Sequence, residues 1–406
     1  MTVLRGIGQL VTNDRALGSG ALGIVEDAAV VLDEGRVAWI GPAAALPEAA
    51  GDDVVEVDGR CVLPGFVDSH AHLVFAGDRL ADFEGSVSGA AYAPGGIATT
   101  VSATRSAATG VLASGARRLR AEARRSGTTT MESKSGYGLT VTDEERSCAV
   151  ARSVADEATF LGAHVVPPEF AQDPDAYVAL VAGPMLDACA PSVRFADVFC
   201  ESGAFDEVSC RTVLRAARDA GLLLTVHANP LGPGPGVELA VAERAVSADH
   251  CTFLADRDVD ALASSQTVAT LLPITEFTTR TGYADGRRLI DAGATVAVAT
   301  NCNPGSGFSS SMPLAIALAV REQGMTPAEA VWAATQGGAR ALARDDVGVL
   351  RPGSRGDLLV LEAPTYAYLA YRPGVDLVAQ VWQGGERIRP AGDERRDEGA
   401  TAAQSV

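Results

Sequence analysis

Between residues 65 and 350 the sequence repeats one pattern eight times: a short apolar run, a polar loop, then an amphipathic helical stretch. The runs cover 66–72, 128–134, 159–164, 195–201, 222–227, 245–250, 267–273 and 295–301. From the second run onward their starts lie 22 to 36 residues apart, the length of one strand plus its returning helix. Strict alternation of this kind demands parallel pairing, because a neighbouring parallel strand is reached only through a crossover. Eight such units predict a closed (β/α)8 barrel. Helix starts are predicted at Thr142-x-x-Glu145 and at Thr326-Pro327-x-Glu329, both capping boxes, the second with proline at the first helical position. The one long gap, 72–128, contains Tyr92-Ala93-Pro94-Gly95-Gly96, expected to form an active-site loop before a helix.

The flanks have a different texture. Ala28–Leu32 and Arg36–Gly41 bracket Asp33-Glu34-Gly35 as a hairpin with glycine at the turn, and a further apolar run spans 54–59. Near the other end, Asp357–Leu361 and Val378–Trp382 are strand-like, with a turn at Gln383-Gly384-Gly385-Glu386. The expected fold class is therefore α/β: a (β/α)8 TIM barrel at 63–353 with a small β-sandwich module built from both chain ends, 1–62 plus 354–389. The polar stretch 390–406 is expected to be disordered.

The chain has 406 residues and a net charge of −18, with Lys134 its only lysine. That balance argues against nucleic acid or an anionic membrane as the main partner, while leaving room for an anionic small molecule gripped by one arginine. No apolar run approaches the roughly 18–20 residues that span a bilayer, and Met1–Arg5 lacks the features of a signal peptide. A cytoplasmic setting is expected. Seven cysteines, an odd number without any CxxC, predict reduced and mostly buried thiols.

Only five histidines are present, and all five fall at the C-terminal ends of predicted strands: His70 and His72 on the first, His164 on the third, His227 on the fifth and His250 on the sixth. Residues two apart on a strand point to the same side, so His70 and His72 share one space. Active sites of this barrel lie at that face. Histidines in ordinary core or surface roles would scatter, so their gathering predicts a metal or hydrolytic site.

HxH on strand one with His on strands five and six resembles the amidohydrolase superfamily. Phe75-Ala76-Gly77-Asp78-Arg79, Lys134-Ser135-Gly136-Tyr137-Gly138-Leu139, the run Gly162–Glu169, Asp197–Glu201, Ser247–His250 and Asn303–Ser306 narrow the resemblance to the imidazolonepropionase family, over residues 20 to 390. The resemblance implies hydrolysis of the cyclic amide of 4-imidazolone-5-propanoate to N-formimidoyl-L-glutamate, in histidine degradation, and a homodimer. It implies one divalent metal, Zn or Fe, on His70, His72 and His227. It further implies a small-molecule substrate bound by Arg79, Tyr137, His164, Asn303, Gly305 and Ser306, and His250 as carbonyl polariser or proton relay. A guanidinium suits the propionate because it can grip a carboxylate bidentately. Strand four ends Cys200-Glu201 and offers no lysine to bridge two metals, which favours a single ion.

Two positions depart from that family. Where the superfamily normally carries an aspartate that ligates the metal and takes the water's proton, this chain has Asn301, which offers a carbonyl oxygen but no charge and no base. Three residues after His227, where Glu or Gln is common, stands Pro230. Reduced turnover is the expected consequence, with Asn301 still counted among metal ligands and catalytic positions. Two alternatives stand beside this: another heterocycle amidohydrolase or deaminase, which Pro230 disfavours, and a non-catalytic paralogue that binds a small carboxylate.

Overall fold

The computed structural model describes residues 1–48, 51, 53–88 and 96–388. The tail from 390 and loop residues 92–95 lie outside the described residues. The chain forms two compact units: Met1–Gly65 with Val349–Tyr366 and Asp376–Val406, and Phe66–Gly348 with Ala367–Val375. Ala367–Val375 goes with the second unit because its helix, Tyr368–Tyr371, packs on the helix Met312–Glu322.

In the first unit, strands β1 (Thr2–Val11), β2 (Ile24–Asp33), β3 (Arg36–Pro42), β4 (Asp53–Glu56) and β5 (Cys61–Pro64) join three strands from the other end. The eight form one mixed sheet, and Val37, Ile40, Leu10, Val62, Leu358 and Trp382 share its core. The β2–β3 turn is Glu34-Gly35 with φ of 46° and 79°, the double left-handed conformation that matches strand twist in a two-residue hairpin.

In the second unit the parallel sheet runs in sequence order. Its strands are β6 (Phe66–Asp68), β7 (Thr128–Lys134), β8 (Glu157–Ala163), β9 (Phe195–Cys200), β10 (Leu223–Ala228), β11 (Ser247–His250), β12 (Val268–Leu271) and β13 (Val296–Val298). The three remaining strands, β14 (Leu358–Leu361), β15 (Val378–Gln383) and β16 (Glu386–Ile388), are those of the first unit. Every residue of β7 and β8 is buried, as expected of parallel strands covered on both faces.

The strand ends are shorter than the apolar runs suggest. β6 stops at Asp68 and β13 at Val298, because beyond them the chain closes the barrel by single bonds rather than a continuous ladder. A parallel bridge pairs Ala71 with Cys302; Asn301 N–H donates to His70 O at 2.9 Å, and His72 N–H to Cys302 O at 2.9 Å. Asp68 reinforces the seam by accepting from Thr300 N–H (3.0 Å) and Thr300 Oγ1 (2.6 Å). His70 and His72 thus flank the closing bridge on one side of an extended segment, although neither lies in a regular strand.

One predicted cap is displaced. The helix Val141–Val154 is capped by Thr140, whose side chain accepts from Asp143 N–H, so Thr142 sits inside the helix. Asp143 fills the third position in place of Glu145, having the shorter reach that pairs back onto Thr140. The box at Thr326 forms as expected: Thr326 Oγ1 accepts from Glu329 N–H and Thr326 N–H donates to Glu329, with Pro327 in the first turn. All seven cysteines are free and buried, and burial pushes the Cys61 thiol up to about 12. No helix among the described residues is long and apolar enough to cross a membrane.

Replacing Thr326 by alanine removes one cap and should lower the unfolding free energy by about 1 kcal/mol, read as a shift in the urea midpoint at unchanged slope.

Candidate metal centre and active site

Three of the five histidines converge. Ligand-capable atoms of His70, His72 and His227 lie within 4.8 Å of one another, all buried. His70 and His72 rings sit 5.3 Å apart, and His227 lies 4.5 Å from His70 and 5.5 Å from His72. The remaining two stand beside them: His250 at 5.7 Å from His70 and 5.3 Å from His227, and His164 stacked on His72 at 5.6 Å.

Two carboxylates aim the imidazoles. His70 Nδ1 donates to Asp249 Oδ2 at 2.6 Å, and His227 Nδ1 donates to Asp197 Oδ2 at 3.1 Å. Fixing the proton on Nδ1 leaves Nε2 of each ring as a lone-pair donor, the arrangement that supports metal-ligating histidines. His70 Nε2, His72 Nδ1 and Asn301 Oδ1 are buried with no hydrogen-bond partner among the described residues. Unmatched buried acceptors are costly, and a divalent cation satisfies them. The donor set of three neutral imidazoles with an amide oxygen suits Zn or Fe. The residues present therefore fit a metal.

Burial holds the His70, His72 and His250 pKa values well below the usual imidazole value, and that of His164 down at about 4. Neutral rings can ligate, and protonated ones cannot.

Lys134 Nζ lies beneath the histidines, 2.8 Å from both Glu132 Oε1 and Asp197 Oδ2 and 3.6 Å from Asp249 Oδ2. Burial pushes Glu132 up to about 7. Burial disfavours the Lys134 charge, but Asp197, Glu132 and Asp249 outweigh it and hold the lysine pKa above its ordinary value. Burial raises the Asp197 carboxyl too, yet His227 and Lys134 hold it well below the usual range.

Arg79, Tyr137, His164, Asn303, Gly305 and Ser306 all line the pocket above the histidines, together with His72, His227, His250 and Asn301. Arg79 is buried and paired with Asp82. Its guanidinium lies so close to Gly96 that a Cβ there would fall 1.8 Å from Nη2, and a Cβ on Gly305 would fall 3.0 Å from Nη1. Tyr137 sits 5.4 Å from the His164 ring. Gly136, at φ 106°, accepts from His164 Nδ1 at 2.9 Å. Glu144 holds this loop from below, accepting from the N–H groups of Gly136, Gly138 and Leu139 at 3.0, 2.6 and 2.8 Å.

Asn303 shapes the rim rather than projecting from it. Its Oδ1 accepts from Gly305 N–H and Ser306 N–H at 2.8 Å each, and its Nδ2 donates to Asn301 O and Ser306 Oγ. Asn301 donates from Nδ2 to Thr275 Oγ1 at 2.8 Å. Pro230 lines the same pocket, where Glu276 offers the one carboxyl among the described residues. Glu276 accepts from Thr252, Ala284 N–H and Gln323, and burial pushes it up to about 7.

Sequence reasoning assigned no role to Glu132, Lys134, Asp197, Asp249 or Glu144. A charged side chain interrupting an apolar run, as Asp197 does in Phe-Ala-Asp-Val-Phe, was the available signal, since a buried charge needs a partner.

Barrel, histidine cluster and carboxylate supports define a hydrolase of the amidohydrolase class. The Amidohydrolase family profile matches residues 61–387. Imidazolonepropionases from Mycolicibacterium smegmatis (60% identical, covering 94% of this chain and 96% of that one) and Streptomyces coelicolor (60%, covering 95% and 98%) are close relatives. The chain belongs to the imidazolonepropionase family. Among solved structures, a zinc-complexed atrazine chlorohydrolase from Arthrobacter aurescens matches with TM-score 0.71 at 18% identity over 99% of both chains. A guanine deaminase from C. acetobutylicum matches with TM-score 0.69 at 14% identity, covering 96% of this chain and all of that one. At that identity the likeness is one of fold.

Because burial holds His70 and His72 well below the usual imidazole value, protonation of these two rings should not weaken zinc binding by the folded protein from pH 8 down through 6.5. An exposed three-histidine site would already lose its ion to protons there. Chelator competition at successive pH values measures this.

Proposed function

We infer that this protein hydrolyses the ring C–N bond of 4-imidazolone-5-propanoate to N-formimidoyl-L-glutamate, and that Asn301 limits its rate. Support comes above all from three buried imidazoles converging under a pocket that holds a buried arginine. Eight relatives at 55–60% identity over 93–96% of this chain carry the name imidazolonepropionase.

In this reading His70, His72 and His227 hold one divalent ion, Zn or Fe, with Asn301 Oδ1 as a further neutral ligand. When bound, such an ion supplies a water with pKa near 7 and polarises the substrate carbonyl. Arg79 grips the propionate, and Gly96 and Gly305 leave room for the guanidinium to lie flat. Tyr137 and His164 wall the ring, with the Asn303 turn presenting Ser306. His250, neutral and close to both His70 and His227, is the base available to take the water's proton and return it to the ring nitrogen as the C–N bond breaks. The resemblance carries a homodimer and a cytoplasmic setting into the same reading.

Asn301 also favours a second reading: a protein that keeps metal and ligand pocket but does not turn over. The two separate in one experiment, in which substrate loss and N-formimidoyl-L-glutamate appearance are followed for wild type and Asn301→Asp. Restoring the carboxylate should raise kcat by roughly 10²–10⁴; turnover absent from both proteins, with metal bound, supports the binding role instead. Arg79→Met should raise KM about 10- to 100-fold, the loss of one charge-assisted carboxylate grip. Its kcat should stay close to that of its parent, because that grip is uniform binding.

A further inference from the structure

Lys134 is the only lysine in the chain, fully buried, and outside every substrate or ligand contact described above. Its neighbours are specific. Asp197 Oδ2 accepts both the His227 Nδ1 proton and the ammonium; Asp249 Oδ2 accepts the His70 Nδ1 proton and faces the same ammonium at 3.6 Å. His70, Asp197 and Asp249 also converge closely enough to hold a cation by themselves. The ammonium sits among those carboxylates and fills that role.

We propose that Lys134 is a positioning residue, a resident cation that binds the two histidine-orienting carboxylates into one unit and so preserves the metal-ligand geometry of His70 and His227. The ammonium meets Asp197 Oδ2 at 2.8 Å and faces Asp249 Oδ2 at 3.6 Å, so it fixes where each carboxylate oxygen stands against the imidazole N–H it accepts. Without it, either carboxylate can turn away from that imidazole. The imidazole it orients then loses both its fixed tautomer and its aim, which weakens ligation. Three carboxyl groups, Asp197, Asp249 and Glu132, share this one ammonium beneath the histidines. The proposal rests on the metal-dependent reading above.

The test uses the folded full-length chain. Zinc affinity is measured by chelator competition and Co²⁺ spectra are recorded for wild type, Lys134→Met and Lys134→Gln. Glutamine keeps a hydrogen-bond donor without the charge. Both variants should bind the ion roughly 10- to 100-fold more weakly, with altered Co²⁺ d–d bands, a readout that loss of packing alone would not move in protein that remains folded. Unchanged affinity and spectrum in either folded variant would falsify the positioning role. A wild type that binds no ion would instead overturn the metal reading itself.

A measurement on the wild type covers the case in which neither variant folds. With a single lysine, ¹⁵N-lysine labelling gives one Nζ signal. That signal should have the shift of an ammonium, with protons protected from exchange, both before and after zinc is added. A neutral-amine shift sinks the proposal.

Discussion

Two oxygen atoms carry much of this site. Asp197 Oδ2 and Asp249 Oδ2 each accept an imidazole N–H from one side and face the Lys134 ammonium from the other. The two imidazoles come from opposite parts of the barrel, His70 beyond β6 and His227 on β10, so their convergence cannot be set by local sequence. It is set by buried pairings, His70 with Asp249 and His227 with Asp197, tied together through Lys134.

Such a cluster is expensive. Each ion taken out of water costs several kcal/mol before its pairings offset it, and Glu132 shows the tension, pushed up to about 7 by burial although Lys134 lies 2.8 Å away. Glu132 also accepts from Ala71 N–H, between His70 and His72, and from Thr159. The closing seam, the support carboxylates and the ligands therefore share members. A change at the seam reaches the ligand atoms through one or two bonds.

This sharing explains what could be read from the sequence. The barrel was legible because parallel βα units impose a repeat on the chain, and the histidine cluster because histidine is scarce and all five copies sit at one kind of position. The supports were not legible as such. Whether Asp249 serves His70 or its neighbour in sequence, His250, depends on which strands face each other across the barrel, and periodicity along one strand is silent on that. The cap at Thr140 was misplaced to Thr142 for a smaller reason of the same kind: Thr-x-x-Asp and Thr-x-x-Glu overlap within three residues, and only the backbone decides between them. Asn303, implied by resemblance as a substrate contact, lines the pocket while its amide also holds the 301–306 turn, a bonding pattern set by the backbone rather than by the motif.

Asn301 shows the same division between architecture and chemistry within one residue. Its backbone lies at φ 49°, in the left-handed region that asparagine and aspartate enter far more readily than branched residues. Its N–H closes the barrel onto His70 O, its carbonyl accepts from Asn303, and its amide donates to Thr275. Asparagine meets each of those structural demands, and its free Oδ1 is still an oxygen that a cation can use. Only the negative charge and the basicity of an aspartate are missing. The fold's demands at this position are therefore met without the carboxylate. His250 stands in the same pocket, its ring 5.7 Å from that of His70 and 5.3 Å from that of His227.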